Sequence, residues 1–119
     1  MQITQPLHIA LLISNIEKSQ HFYSNILGLS KIDRILKFPG IWYQIGNFQI
    51  HLILAATIIP DAVEYEKLGR NRHLAFSVAN LEAAKEQLIA HNCQIQMSAS
   101  GRSALFTQDP DGNIIELSE

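Results

Sequence analysis

His8-Ile-Ala-Leu-Leu-Ile-Ser-Asn-Ile-Glu17 is written a second time, 65 positions on, as His73-Leu-Ala-Phe-Ser-Val-Ala-Asn-Leu-Glu82. Four positions are identical (His8/His73, Ala10/Ala75, Asn15/Asn80, Glu17/Glu82), and three more exchange one aliphatic residue for another (Ile9/Leu74, Ile13/Val78, Ile16/Leu81). The register survives to the end of each copy, because Gln-Ile-His51-Leu lies 65 positions before Ile-Ile-Glu116-Leu. The chain reads as a duplicated module. Four residues of metal-ligand type fall into two equivalent pairs, His8 with His51 and His73 with Glu116.

Residues 7–13 alternate around His8, with Leu7, Ile9, Leu11 and Ile13 on one face and His8, Ala10 and Leu12 on the other, as a strand requires. Ser14-Asn-Ile-Glu17 reads as a capping box in which Ser14 accepts from the backbone of Glu17. A helix follows to Gly28, carrying Ile16, Phe22, Tyr23, Ile26 and Leu27 at helical spacing. Extended stretches are expected near 31–37, 41–45 and 48–54, separated by Pro39-Gly40 and Gly46-Asn47 turn signals. The second copy repeats the order: a strand near 73–78, Asn80 as N-cap, a helix to about His91, strands near 94–98 and 103–107, the turn Asp109-Pro-Asp-Gly-Asn113, and a last strand over 113–118. This predicts an α+β chain of two βαβββ modules, about 5–55 and 72–119, joined by a linker over about 56–71.

Parity then assigns the faces. The aliphatic sets Ile9/Leu11/Ile13 and Leu74/Phe76/Val78 belong against the helices. His8 and His73 therefore point away. In the closing strands Phe48, Ile50, Leu52 and Leu54 share one face, as do Ile115 and Leu117, which leaves His51 and Glu116 on the other. All four candidate ligands are expected on a common surface.

The 119 residues, 47% apolar and 17% charged, suit one soluble globular domain. A net charge of −2 offers no basic stripe for nucleic acid. Cys93 is the single cysteine, so neither an internal disulfide nor a CxxC motif exists. No basic leader or long apolar run is visible, and the expected location is the cytoplasm, with no membrane partner.

Three imidazoles and a carboxylate form a mixed nitrogen and oxygen set suited to Zn, Ni, Co, Mn or Fe(II). Any one of these histidines taken alone is most simply a hydrogen-bonded strand residue. Gathering all four on one face incurs desolvation penalties that a metal relieves together. His8, His73 and Glu116 by themselves have the composition of the two-histidine, one-carboxylate Fe(II) triad. Arg34, Trp42, Tyr43, Arg70, Arg72 and Arg102 are candidates to line the site, with Arg102, Arg34 and Trp42 favoured for substrate. His21 and His91 read as solvated helix residues, and Cys93 as a small filler rather than a nucleophile.

With these residues in view, the chain resembles the vicinal oxygen chelate superfamily, which includes glyoxalase I, fosfomycin resistance proteins, extradiol dioxygenases and bleomycin resistance proteins. The resemblance covers residues 7–118 and rests on His8-Ile-Ala-Leu-Leu-Ile, Phe22-Tyr23-Ser-Asn-Ile-Leu-Gly-Leu29, Arg72-His73-Leu-Ala-Phe-Ser-Val and Asp109-Pro-Asp-Gly-Asn-Ile-Ile-Glu116-Leu. It implies an eight-stranded cup holding one divalent metal ion per site, which chelates two adjacent oxygens of a small-molecule substrate. It also implies a homodimer with the site at the subunit interface, His8 and His51 meeting the partner's His73 and Glu116. In the glyoxalase I pattern the ligands match His8, His51, His73 and Glu116, and Glu116 also moves the substrate proton, so an isomerase or lyase is the first expectation. Two positions depart from the bacterial glyoxalase I pattern. His51 stands where that pattern has glutamate, and Leu12 stands where it carries an arginine for glutathione, so the resemblance does not secure glutathione as cosubstrate. The dioxygenase alternative takes His8, His73 and Glu116 as an Fe(II) triad and His51 as acid/base, with Phe106 where those enzymes place a tyrosine. The alternative of another class is a non-catalytic drug-binding protein of the bleomycin-resistance kind.

Overall fold

The alternation around His8 becomes strand β1 (His8–Ile13), with Ile13 fully buried on one side and His8, Ala10 and Leu12 exposed on the other. The computed structural model describes residues 1–119, and the chain divides into two units, Met1–Ile58 and Ile59–Glu119. In the first unit β1 leads to α1 (Ile16–Gln20), then β2 (Ser30–Lys31), β3 (Gly40–Ile45) and β4 (Phe48–Leu54). The second unit contains β5 (Leu74–Ser77), α2 (Leu81–Ala90), β6 (Ile95–Met97), β7 (Ala104–Gln108) and β8 (Ile114–Ser118). Each unit folds as one four-stranded sheet, in the orders β1-β4-β3-β2 and β5-β8-β7-β6. This is the α+β arrangement of two βαβββ modules.

The first and last strands of each unit pair in parallel and the remaining neighbours are antiparallel. Parallel neighbours cannot be joined by a hairpin, so the helix serves as part of the crossover. Its apolar face covers the aliphatic side of the sheet. In the first unit that side buries Ile13, Tyr23, Tyr43, Ile50 and Leu52; in the second it buries Leu81, Leu88, Leu105, Ile115 and Leu117. Tyr43 therefore belongs to the core and not to the site: it is fully buried, its hydroxyl shares a 2.7 Å hydrogen bond with Ser24 Oγ, and burial pushes its pKa upward.

Three local expectations need correction. The N-cap of α1 is Asn15 and not Ser14, and Asn15 Oδ1 accepts from Lys18 N at 2.9 Å. The equivalent Asn80 caps α2 by accepting from Ala83 N at 3.0 Å, as expected. The first helix is not α-helical to Gly28: it widens into a π-turn over His21–Ile26, closed by Leu27 N donating to Phe22 O at 2.9 Å. The wider turn lets the adjacent Phe22 and Tyr23 both enter the core. The strand expected over 31–37 is only Ser30–Lys31, plus one bond from Ile32 N to Trp42 O, because the chain then leaves β3 with Asp33 and Arg34 exposed.

The stretch expected to join the modules carries local structure of its own. It contains a 3-10 turn at Leu68–Arg70, and Asn71 ties it together by accepting from Val63 N and Glu64 N and donating to Glu64 O and Leu68 O. No helix is long and apolar enough to cross a membrane.

Asn15 and Asn80 perform the same task at equivalent positions. Asn15→Ala and Asn80→Ala should each lower the free energy of unfolding by about 1 kcal/mol, measured by urea denaturation.

Candidate functional site

In the first unit the face opposite the helix carries a stack of four side chains. The His8 and His51 rings lie 4.1 Å apart at 17°, and the Trp42 ring lies 3.5 Å from His51 at 7°. The Arg34 guanidinium covers the far side of Trp42, 4.1 Å from its centroid. Register explains the order: His51 is directly opposite Trp42 on β3 and directly opposite Ala10 on β1. Alanine there leaves room for His8, two residues earlier on the same face, to lean across.

A chain of amides holds His51 from the edge. Gln44 Nε2 donates to the carbonyls of Gly46 and Phe48, at 2.7 and 3.3 Å. Gln44 Oε1 therefore accepts from Gln49 Nε2 at 2.8 Å, and Gln49 Oε1 is left to accept from His51 Nε2 at 2.9 Å. Since a carbonyl oxygen can only accept, His51 carries its proton on Nε2 and presents its lone pair at Nδ1. Burial lowers the His51 pKa, and the nearby His8 and Arg34 charges lower it further. The ring is only 7% exposed. It is held neutral between two aromatic faces.

The second unit repeats the placement with different chemistry. His73 Nδ1 donates to the Asn71 carbonyl at 2.8 Å, which leaves Nε2 toward Glu116 Oε2, 3.9 Å away. The other carboxylate oxygen, Oε1, accepts from Arg102 Nη2 at 2.7 Å, with the Glu116 side chain only 9% exposed. Phe106 lies opposite Glu116 on β7 and meets the His73 ring edge-on, 5.4 Å between centroids at 90°. These groups border a cavity of about 320 Å³ whose other walls include Lys67, Arg70 and Ser98.

The residues expected on one common surface fall into two groups in the structure. His8, His51, Trp42 and Arg34 meet in one unit; His73, Glu116 and Arg102 meet in the other. Arg70 borders the cavity, whereas Arg72 is drawn away into a 2.7 Å ion pair with Asp61. His21 and His91 are exposed, and burial raises the pKa of the half-buried Cys93, which keeps the thiol protonated. The amide chain through Gln44 and Gln49 and the cavity residue Lys67 were not anticipated. The alternating parity of Gln49 and His51 in β4 was the available signal for the first.

Neither unit alone gathers three or more His, Cys, Asp or Glu side chains able to hold a metal ion. The His73 and Glu116 pair nonetheless fits one. Two electron-pair donors face each other across 3.9 Å, a gap that a divalent ion bonded at about 2.0–2.2 Å to each spans. The first pair fits less directly. Lone pairs lie in the ring planes, and two nearly parallel planes do not converge on one ion, so His8 must turn out of the stack before both rings could bind it.

The lowered His51 pKa has a definite consequence for stability. The neutral ring stabilises the fold above the unfolded value of about 6.5, and that contribution is lost as pH falls through the lower folded value. The thermal midpoint should therefore drop on acidification below about pH 6.5, and His51→Phe should flatten this dependence. Imidazole 15N spectra should show the Nε2-protonated form, and Gln49→Leu should shift the ring toward a mixture of tautomers.

The comparisons with known proteins bear on the family and the fold. The Glyoxalase/Bleomycin resistance protein/Dioxygenase superfamily matches residues 5–117. The mitochondrial methylmalonyl-CoA epimerase of Homo sapiens is 24% identical over 127 residues, covering 94% of this chain and 72% of that protein. Lactoylglutathione lyase of Salmonella typhimurium is 28% identical over 123 residues, covering 95% of this chain and 90% of the enzyme. Among solved structures, the fosfomycin resistance protein FosX of Listeria monocytogenes shares the fold with a TM-score of 0.80 at 16% identity, over 98% of this chain and 91% of that one. Matched along nearly its whole length, the chain belongs to the glyoxalase/bleomycin resistance protein/dioxygenase superfamily, the vicinal oxygen chelate family that its repeated motifs resemble.

Proposed function

We propose that the protein is a divalent-metal-dependent isomerase or lyase that moves a proton at the carbon beside a carbonyl of a small acyl substrate. The observation that carries this reading is the His73 and Glu116 pair, two donors facing each other across 3.9 Å at the edge of a cavity. Arg102 fixes one oxygen of Glu116, which leaves Oε2 toward His73 and any substrate. Glu116 accepts the proton from carbon and returns it, while Phe106 supplies an apolar wall that limits water. His73 and Glu116 would hold the metal, with His8 and His51 as the further donors that the family resemblance implies. When bound, the ion supplies Lewis-acid polarisation of the substrate carbonyl.

The substrates named for the two related enzymes, methylmalonyl-CoA and lactoylglutathione, are both acyl thioesters, which supports chemistry beside a carbonyl. Leu12, 45% exposed where the bacterial glyoxalase I pattern has arginine, argues against glutathione as the carrier. Each unit contributes one donor pair, and the family resemblance supports a homodimer in which each site draws on both subunits.

A second reading rests on His51. With Nε2 committed to Gln49 and the ring clamped by Trp42, it suits an acid/base role, and His8, His73 and Glu116 remain as an Fe(II) set for ring-cleaving dioxygenation.

Metal-loaded protein should exchange the proton beside the carbonyl of an acyl thioester with D2O, followed by NMR, without oxygen uptake. Glu116→Gln should slow exchange by about 100-fold or more, and His73→Ala should reduce bound metal. Oxygen uptake with a catechol would instead support the dioxygenase; no metal and no turnover would leave a binding protein. Mixing His8→Ala with His73→Ala protein should restore activity if sites are shared between subunits, and no recovery despite subunit exchange would oppose that arrangement.

A further inference from the structure

The chain carries a net charge of −2, yet the cavity of the second unit is bordered by Lys67, Arg70 and Arg102 against one carboxylate, Glu116, which is already paired with Arg102. Lys67 and Arg70 form no ion pair of their own. Lys67 precedes the Leu68–Arg70 turn and Arg70 ends it, and that turn is held by several hydrogen bonds. Leu68 N donates to Gln96 Oε1 at 2.7 Å, while Gln96 Nε2 donates to the carbonyls of Tyr65 and Glu66. Asn71 clamps the same stretch from the other side. Gly69 lies so close to Phe106 that a Cβ there would come within 2.6 Å of the ring, so the turn is pressed onto the cavity wall.

Ser98 and Ser100 add hydroxyls to the cavity lining. Arg102 Nε donates to Ser100 Oγ at 3.3 Å, and Ser98 and Ser100 share one hydrogen bond at 2.9 Å. Two hydroxyl hydrogens serve one bond between them, so one remains available to a ligand.

We propose that Lys67, Arg70 and the Ser98 and Ser100 hydroxyls form an oxyanion subsite, which holds a phosphate or a second carboxylate on the substrate away from its reacting carbon. Two unpaired cations and neutral hydroxyl donors on one cavity match an oxyanion through charge-assisted hydrogen bonds. The anion displaces no existing partner of Lys67 or Arg70, and Arg102 bridges it to Glu116. The subsite rests on the proposed function only in taking this cavity as the place where substrate binds.

Binding of inorganic phosphate and of malonate, followed by 1H–15N NMR at constant ionic strength, tests it without turnover. Saturable shifts are expected at Gly69 and Ser100 to Arg102, weakened about tenfold or more in the Lys67→Gln/Arg70→Gln protein. The single charge reversal Lys67→Glu should weaken both ligands as well. Tighter phosphate binding identifies a phosphoryl group and tighter malonate binding a carboxylate. Absence of saturation, equal competition by chloride, or unchanged affinity in both variants overturns the subsite. Because both side chains are exposed, the thermal midpoint of the variants should stay unchanged. Saturable phosphate binding by a protein that fails to exchange protons would remove the proposed reaction and leave the subsite standing.

Discussion

Parallel pairing between the first and last strands of each unit is the constraint on which the rest depends. It sets Ala10 opposite His51 and Ala75 opposite Glu116. Each alanine occupies the one neighbouring position where a larger side chain would fill the space beside the donor. With a methyl there, the histidine two residues earlier on the same face leans over, giving the 4.1 Å ring stack in one unit and the 3.9 Å His73 to Glu116 approach in the other. Parallel pairing also demands a crossover, and the helix that provides it must cover one side of the sheet. The donors are thereby assigned to the side without a helix.

This logic explains what was legible in the sequence. Ala10 and Ala75 are identical across the copies because the same local geometry recurs, and the 65-residue register preserves strand parity, hence the face of each donor. Asn80 was readable as a cap for the same local reason. What escaped depends on contacts between residues distant in sequence. The π-turn answers the need to bury Phe22 and Tyr23 together, and no short pattern announces it. The cap at Asn15 was obscured because Ser14 is an equally good cap by residue type. Residues 56–71 read as a connection because their partners, Gln96 and Phe106, come from strands far along the sequence.

The middle strands show how small the encoded difference is. Trp42 and Phe106 both sit directly opposite the closing donor, although they are 64 residues apart while the donors are 65 apart. The β3–β4 hairpin turns on Gly46-Asn47, with Gly46 at a φ of 56°, whereas β7 and β8 are joined through Asp109–Asn113. Asp109 is buried and organises that longer turn by accepting from Asp111 N and Asn113 N. Register is thus re-established after an insertion, so an aromatic ring faces each donor despite different turns.

The two arginines carry this comparison into chemistry. Arg34 and Arg102 both come from the loop between the second and third strands of their unit, and both reach the donor face. Arg34 finds no carboxylate there, since the closing donor is His51, and it settles on the face of Trp42. Its charge then disfavours a second positive charge on His51, in the same direction as burial. Arg102 finds Glu116 and pairs with it at 2.7 Å. One repeated scaffold therefore yields a neutral, ring-stacked donor pair and an ionic one, and the difference follows from a single exchange of histidine for glutamate at the end of the closing strand. A carboxylate at position 51 would give Arg34 an ionic partner and remove the ring on which both His8 and Trp42 stack. The identity of residue 51 thus sets the charge of its pair and the order of every side chain in the stack.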